Sequence, residues 1–219
     1  MSRTADDLET NVSDTLVTPS AMQMRLRASA LFMAVTIAGV AVDLASKQYV
    51  FQKMLSQSWV AEIAHNCREH MPEYFSEDHV LIALNLYYDF GPLRIRPSTN
   101  ENGTLGLDLP RWAFFAISFS AVVIIVLWFM RSPLRAHGLR ISLALLLAGV
   151  LGNSYDRLAG EVYMPGGGVI QYQVRDFIDL GLMGVPFVLN LADLMMLIGA
   201  AIITWLTCGR LRKRVRRSG

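Results

Sequence analysis

The run Trp112–Met130 constrains this chain more than any other feature, because it holds 19 consecutive residues without a charge. Crossing about 30 Å of hydrocarbon takes about 20 mostly apolar residues in a helix. Lipid offers no partner for backbone N–H and C=O groups, so such a run bonds within itself as a helix. Three further windows qualify. Ala28–Phe51 is uncharged up to Asp43, Gly138–Arg157 is uncharged from Ile141 to Tyr155, and Phe187–Cys208 carries Asp193 as its only charge. Composition agrees, since 53% of the 219 residues are hydrophobic and 17% charged, with mean hydropathy +0.37. A soluble domain carries about 25% charge. This argues against an ordinary soluble globule and excludes a disordered or collagen-like chain. The expected fold is an all-α membrane protein of four transmembrane helices with a small β-containing extracytoplasmic loop domain.

Charge placement orients the spans. The link Arg131–Arg140 has three Arg and no acid, and Arg210–Arg217 has six basic residues and no acid. Gln52–Pro110 holds four basic and eight acidic residues. The positive-inside rule therefore puts both termini in the cytoplasm and two loops outside. The domain reading is a disordered cytoplasmic lead over 1–26, a four-span membrane domain over 27–208 with outer loops 52–111 and 158–186, and a basic cytoplasmic tail over 209–219. The first span reads as retained rather than as a cleaved signal peptide, because its leader is acidic and long and Ser46 and Lys47 follow in helical register. The basic tail reads as an anchor on anionic lipid, with nothing that points to nucleic acid.

Within the first outer loop, Val80–Tyr88 is strand-like, and Leu93–Ile95, Thr104–Leu107 and the turn Asn102–Gly103 fit a small hairpin. The Gly triplet after Pro165 reads as a flexible stretch. Cys67 falls outside and Cys208 at an inner end, so they are expected not to pair. No Cys/His cluster with metal spacing is present, and no metal or cofactor is expected.

Ionisable groups in a bilayer cost at least about 2.5 kcal/mol each, so their positions carry information. Asp43, Ser46 and Lys47 fall at i, i+3 and i+4, on one helix face. Asn153, Asp156 and Arg157 repeat that spacing, and Asn190 and Asp193 lie three apart. All three clusters belong to the outer ends of their spans. The plainer account makes Asp43 with Lys47, and Asp156 with Arg157 or a neighbouring helix, ion pairs that pin the bundle, and makes Asn153 and Asn190 interhelical glue. Asp193 has no basic neighbour on its helix. Asp176 and Asp179 precede it, and Gly181 and Gly184 permit a tight return that brings one of them beside Asp193. Two carboxylates in reach of one another titrate in separated steps and supply an acid and a base together, which is what activating water against an amide requires.

At this point the sequence resembles the lipoprotein signal peptidases (signal peptidase II). The motifs are Asp43-Leu44-Ala45-Ser46-Lys47, Asn85 through Phe90-Gly91, Ala148 through Arg157, Val174-Arg175-Asp176-Phe177-Ile178 and Leu189-Asn190-Leu191-Ala192-Asp193. The resemblance implies a bacterial inner-membrane aspartic endopeptidase whose dyad is Asp176 and Asp193, near the outer face. It implies that Asn153 and Arg157 line the substrate site with Asn85 over it, and that Asp43, Lys47, Asp156 and Asn190 support them. It further implies prolipoprotein substrates cut before a diacylglyceryl-cysteine, membrane lipids as surroundings, a monomer, and no metal or cofactor. Tyr87-Tyr88-Asp89 departs from the family's small residues, and the stretch between Arg157 and Asp176 and the first outer loop near Arg94–Asp108 are enlarged. A non-catalytic relative that binds lipidated signal-peptide helices and a small proton-coupled transporter are the competing readings.

Overall fold

The computed structural model describes residues 20–70, 76–101 and 110–218. Its first helix, α1 (Ala21–Leu55), opens on a capping box in which the Ser20 hydroxyl accepts the Gln23 N–H at 3.2 Å and Gln23 Oε1 accepts the Ser20 N–H at 3.0 Å. These reciprocal bonds satisfy two otherwise orphaned donors. The helix thus begins inside the segment expected to be a disordered lead, and residues 21–26 are helical; residues 1–19 lie outside the described ones. Helices α2 (Ser58–His70) and α3 (Glu77–Ala83) follow, then strands β1 (Tyr88–Phe90) and β2 (Leu93–Asn100). The spans α4 (Arg111–Arg131) and α5 (His137–Ala159) come next, then β3 (Glu161–Tyr163), β4 (Val169–Gln171) and β5 (Val174–Asp179). A 3-10 turn (Gly181–Met183), β6 (Val188–Leu189) and α6 (Leu191–Ser218) complete the chain.

Four of these helices, α1, α4, α5 and α6, are long and apolar enough to cross a membrane. The fold is therefore all-α with a small antiparallel sheet region, as expected. The sheet has the order β1-β2-β5-β6, and β3 pairs with β4 separately. A two-residue turn, Gly91-Pro92, joins β1 to β2, with Phe90 opposite Leu93 and Gly91 at φ +67°. A positive φ at the first turn position calls for glycine. The expected hairpin of Leu93–Ile95 with Thr104–Leu107 is corrected here: Leu93–Ile95 begins β2 and is flanked by β1 and β5, while Asn102–Gly103 and Thr104–Leu107 lie outside the described residues.

Three further expectations need correction. Residues 80–83 are helical rather than extended, because Val80, Leu81 and Leu84 turn one face inward and pack with Phe51, Met54, Val60 and Phe177. That spacing, i to i+4, fits a helix over a core better than a strand. The fourth span begins at Leu191 and not at Phe187, since Val188 and Leu189 pair with Asp179 and Ile178 on β5. Its helix runs on through Ser218, so the backbone of the basic segment continues the span. Finally, Gly166, Gly167 and Gly168 form the turn between β3 and β4, and Arg68 on α2 donates to the carbonyls of Pro165 (2.8 Å) and Gly167. The stretch read as flexible is therefore tied to α2.

Close helix approach sets up the site. A Cβ on Gly149 would stand 2.5 Å from the Ala192 carbonyl oxygen, and one on Gly152 would stand 2.5 Å from Asp43 Oδ2. Only glycine lets α5 lie against both α6 and α1 at these heights. Cys67 and Cys208 are both free.

Candidate functional site

The C-terminal half of α1, the last turns of α5 and the first turn of α6 meet the face of β5, and each brings polar groups that the bundle buries. Asp43 and Lys47 are one turn apart on α1, and both are fully buried. Lys47 Nζ lies 2.7 Å from Asp43 Oδ2 and 3.0 Å from Asp156 Oδ2 on α5. It also donates to Asn153 Oδ1 at 3.0 Å. Asp43 Oδ1 in turn accepts the Ala192 N–H at 2.8 Å, which fastens α1 to the first turn of α6. Ser46 stays apart from this network and donates to its own helix at the Asp43 carbonyl.

Asp156 finds its second cation outside α5. Arg175 on β5 donates through Nε (3.0 Å) and Nη2 (2.7 Å) to Asp156 Oδ1, and the Arg175 backbone N–H reaches Oδ2 at 3.1 Å. Two guanidinium donors on one carboxylate oxygen and a backbone N–H on the other fix position as well as charge. Two carboxylates and two cations thus balance in a buried cluster, as burial of charge demands. Arg157, the neighbour in sequence, takes no part. Its guanidinium lies 4.7 Å from the Phe114 ring of α4, within electrostatic reach of Asp176 and Asp193, and forms no ion pair among the described residues.

Successive strand residues face opposite ways, so Arg175 pointing at Asp156 aims Asp176 at the other face. There Asp176 Oδ1 accepts the Asn190 side-chain N–H at 2.6 Å and Oδ2 that of Asn100 at 3.4 Å. Asn190 is also the N-cap of α6: its Oδ1 accepts the Asp193 N–H at 2.9 Å while Asp193 Oδ2 accepts the Asn190 N–H at 3.2 Å. The spacing of three between Asn190 and Asp193 is thus a capping box. Asp193 Oδ1 accepts from Asn153 Nδ2 at 2.8 Å, and Asn153 Oδ1 accepts from Asn190 Nδ2 at 3.0 Å. One chain of amides therefore links both carboxylates.

Asp176 is 3% exposed. Burial, then the Asp193 carboxylate, pushes its pKa up to about 7, partly offset by the Asn190 and Asn100 donors. Asp179, the other candidate, faces away, ion-paired with Arg96 at 3.1 Å and accepting the Gly181 N–H at 2.8 Å.

Of the residues expected here, Asp43, Lys47, Asn153, Asp156, Asp176, Asn190 and Asp193 form one hydrogen-bonded and ion-paired cluster, with Arg157 at its edge. Asn85 does not join it. It sits exposed in the left-handed region (φ +45°), with its N–H on the Ile82 carbonyl. Tyr87 and Tyr88 are half-exposed, the first under Arg94 at 4.7 Å and the second accepting from Gln57 at 3.1 Å. Sequence reasoning missed Arg175 and Asn100. The pair Arg175-Asp176, on a strand, was a readable signal, because alternation sends the two to opposite faces. Asn100 sits beyond a register shift in β2 and had none. No group of His, Cys, Asp or Glu suited to a metal occurs among the described residues.

Comparison with known proteins adds a family. Residues 35–208 match the family model for signal peptidase (SPase) II. A lipoprotein signal peptidase of Alteromonas mediterranea is 34% identical over 94 residues, which is 42% of this chain and 46% of that protein. One from Yersinia pestis (strain Pestoides F) is 32% identical over 94 residues, 42% and 49% of the two. The match spans about half the length of these curated relatives. Two solved structures, each described as a bacterial membrane enzyme obtained by the in meso method, share the fold. The first has a TM-score of 0.56 at 19% identity, covering 82% of this chain and 88% of the other. The second has a TM-score of 0.54 at 22% identity, covering 81% and 92%.

Proposed function

The chain belongs to the signal peptidase II family, and from that premise we propose that it is an intramembrane aspartic endopeptidase that removes the signal peptide from diacylglyceryl-modified prolipoproteins. The observation that carries this reading is the amide chain through Asn190 and Asn153, which ties Asp176 and Asp193 into one buried unit. Asp193 acts as the base. It takes a proton from water, whose oxygen attacks the carbonyl carbon before the lipidated cysteine. Asp176, protonated, donates to the carbonyl oxygen and stabilises the tetrahedral species. As the C–N bond breaks, Asp193 passes its proton to the leaving amine while Asp176 takes one back from a hydroxyl of the tetrahedral carbon, so the dyad regains its single shared proton. General acid–base help of this kind contributes about 10²–10⁴-fold.

The neighbours have distinct roles in this proposal. Lys47 and Asn190 both donate to Asn153 Oδ1, so the Asn153 amide presents its N–H₂ to Asp193. Arg157, without an ion pair, offers a cation to the substrate's backbone or ester carbonyls. Both termini lie in the cytoplasm and the dyad lies near the outer face of a bacterial inner membrane, where the acyl chains of the substrate remain in lipid. The test is cleavage of two matched peptides, one with diacylglyceryl-cysteine and one with unmodified cysteine. Cleavage of the lipidated peptide alone, just before cysteine, is expected; equal cleavage of both, or of neither by folded protein, contradicts the reading.

A further inference from the structure

The two ends of the helical bundle differ in charge. No Asp or Glu occurs in residues 20–42, 120–149 or 200–218, and these stretches include the end remote from the carboxylates. At that end a cavity of about 220 Å³ lies where the start of α1, the end of α4 and the start of α5 meet, and Arg25, Ser29, Phe129, Ser132 and Arg140 line it. Arg140 is 6% exposed. Its Nε donates to Ser132 Oγ at 3.1 Å and its Nη2 to the Ser132 carbonyl at 3.0 Å, and the guanidinium stands 5.0 Å from the Phe129 ring. Nη1 has no hydrogen-bond partner, and neither Arg140 nor Arg25 has a carboxylate partner, among the described residues.

A buried guanidinium oriented by its neighbours, yet without counter-charge, is costly unless an anion arrives from outside. Arginine in this state matches the oxygens of a phosphate. Met130 and Leu134 complete the wall, and Met130 is 72% exposed, so an acyl chain has an apolar surface beside the basic recess. We propose that this cavity binds the phosphate of an anionic phospholipid headgroup, with Arg140 and Arg25 on its oxygens and the Ser29 hydroxyl donating to it. Such a lipid clips three spans together at the end opposite the dyad. The proposal does not depend on the peptidase reading.

The full chain, purified in detergent, is titrated with phosphatidylglycerol, phosphatidylcholine and inorganic phosphate, and binding is read by native mass spectrometry and by the shift in Tm. Phosphatidylglycerol is expected to bind and raise Tm, with the other two at least about tenfold weaker. Arg25→Gln should weaken phosphatidylglycerol about fivefold, and Arg140→Gln more than about tenfold. Arg131→Gln, next to the cavity wall but outside it, should change binding less than about twofold. Because Arg140→Gln also removes the bonds to Ser132, the exposed Arg25 decides the matter if that variant fails to fold. Equal binding of the two lipids, or equal losses at Arg25 and Arg131, would overturn the site in favour of general surface attraction. Inorganic phosphate binding as tightly as phosphatidylglycerol would overturn a lipid as the occupant. Binding seen only after Asp6, Asp7, Glu9 and Asp14 are changed to amides would assign the cavity to the acidic leader instead.

Discussion

Helices α4 and α5 are adjacent in sequence and antiparallel, yet they are built for opposite surroundings. The more apolar of the two is α4, and it is mostly exposed, with Ile125 its only fully buried residue. The less apolar α5 is more than half buried, and its buried set includes Ser142, Asn153 and Asp156. In water, burial would track hydropathy. In lipid the relation inverts, because hydrocarbon is as good a solvent for Phe119 as a protein interior, whereas Asp156 has partners only inside. The polarity of a span therefore marks the protein-facing side, and the site follows the polar helix.

That contrast can be broken first at the carboxylates. Asp176→Asn and Asp193→Asn should each lower prolipoprotein cleavage by about 10³-fold or more, read from the gel shift of processed product, while Phe119→Leu on α4 should leave the rate within about twofold. Lys47→Met is the next largest effect. It strips the cation from Asp43 and Asp156 and should cost about 3–5 kcal/mol, measured by denaturation in detergent. A loss below about 1 kcal/mol would mean that the buried cluster does not hold α1 to α5. Gly149→Val tests the close approach, since its Cβ would meet the Ala192 carbonyl oxygen at 2.5 Å. An expected loss of about 1–3 kcal/mol should contrast with a change under about 0.5 kcal/mol for Phe119→Leu.

Much of this was legible in the chain itself. The spans could be read because 19 uncharged residues in a row have one structural outcome in lipid, and the clusters could be read because i, i+3 and i+4 share a helix face. What sequence did not reveal was the partner of each polar group. Asp156 sits next to Arg157 in the chain but pairs with Arg175, since adjacent helical residues do not face each other and β5 arrives from 19 residues away. Asn190 and Asp193 were visible as a spaced pair, but their capping role depends on where α6 begins. That boundary is set by β6 pairing with β5, a tertiary contact that overrides the apolar run from Phe187. Residues 80–83 went the other way for a similar reason: their β-branched, apolar character suits a strand, but the core beneath them suits a helix.

The proton on Asp176 is the central claim, and infrared difference spectroscopy reads it most directly. With a pKa near 7 in the folded chain against 3.8 ordinarily, protonation favours the folded state. The stabilisation is complete below about pH 4 and is lost as pH rises through about 7, and cleavage should fall through that same upper limit as the acid is consumed. A protonated-carboxyl band is expected at about pH 5, titrating away with a midpoint near 7 and missing from Asp176→Asn. Full activity at about pH 5 with no such band, or a band untouched by Asp176→Asn, would contradict it.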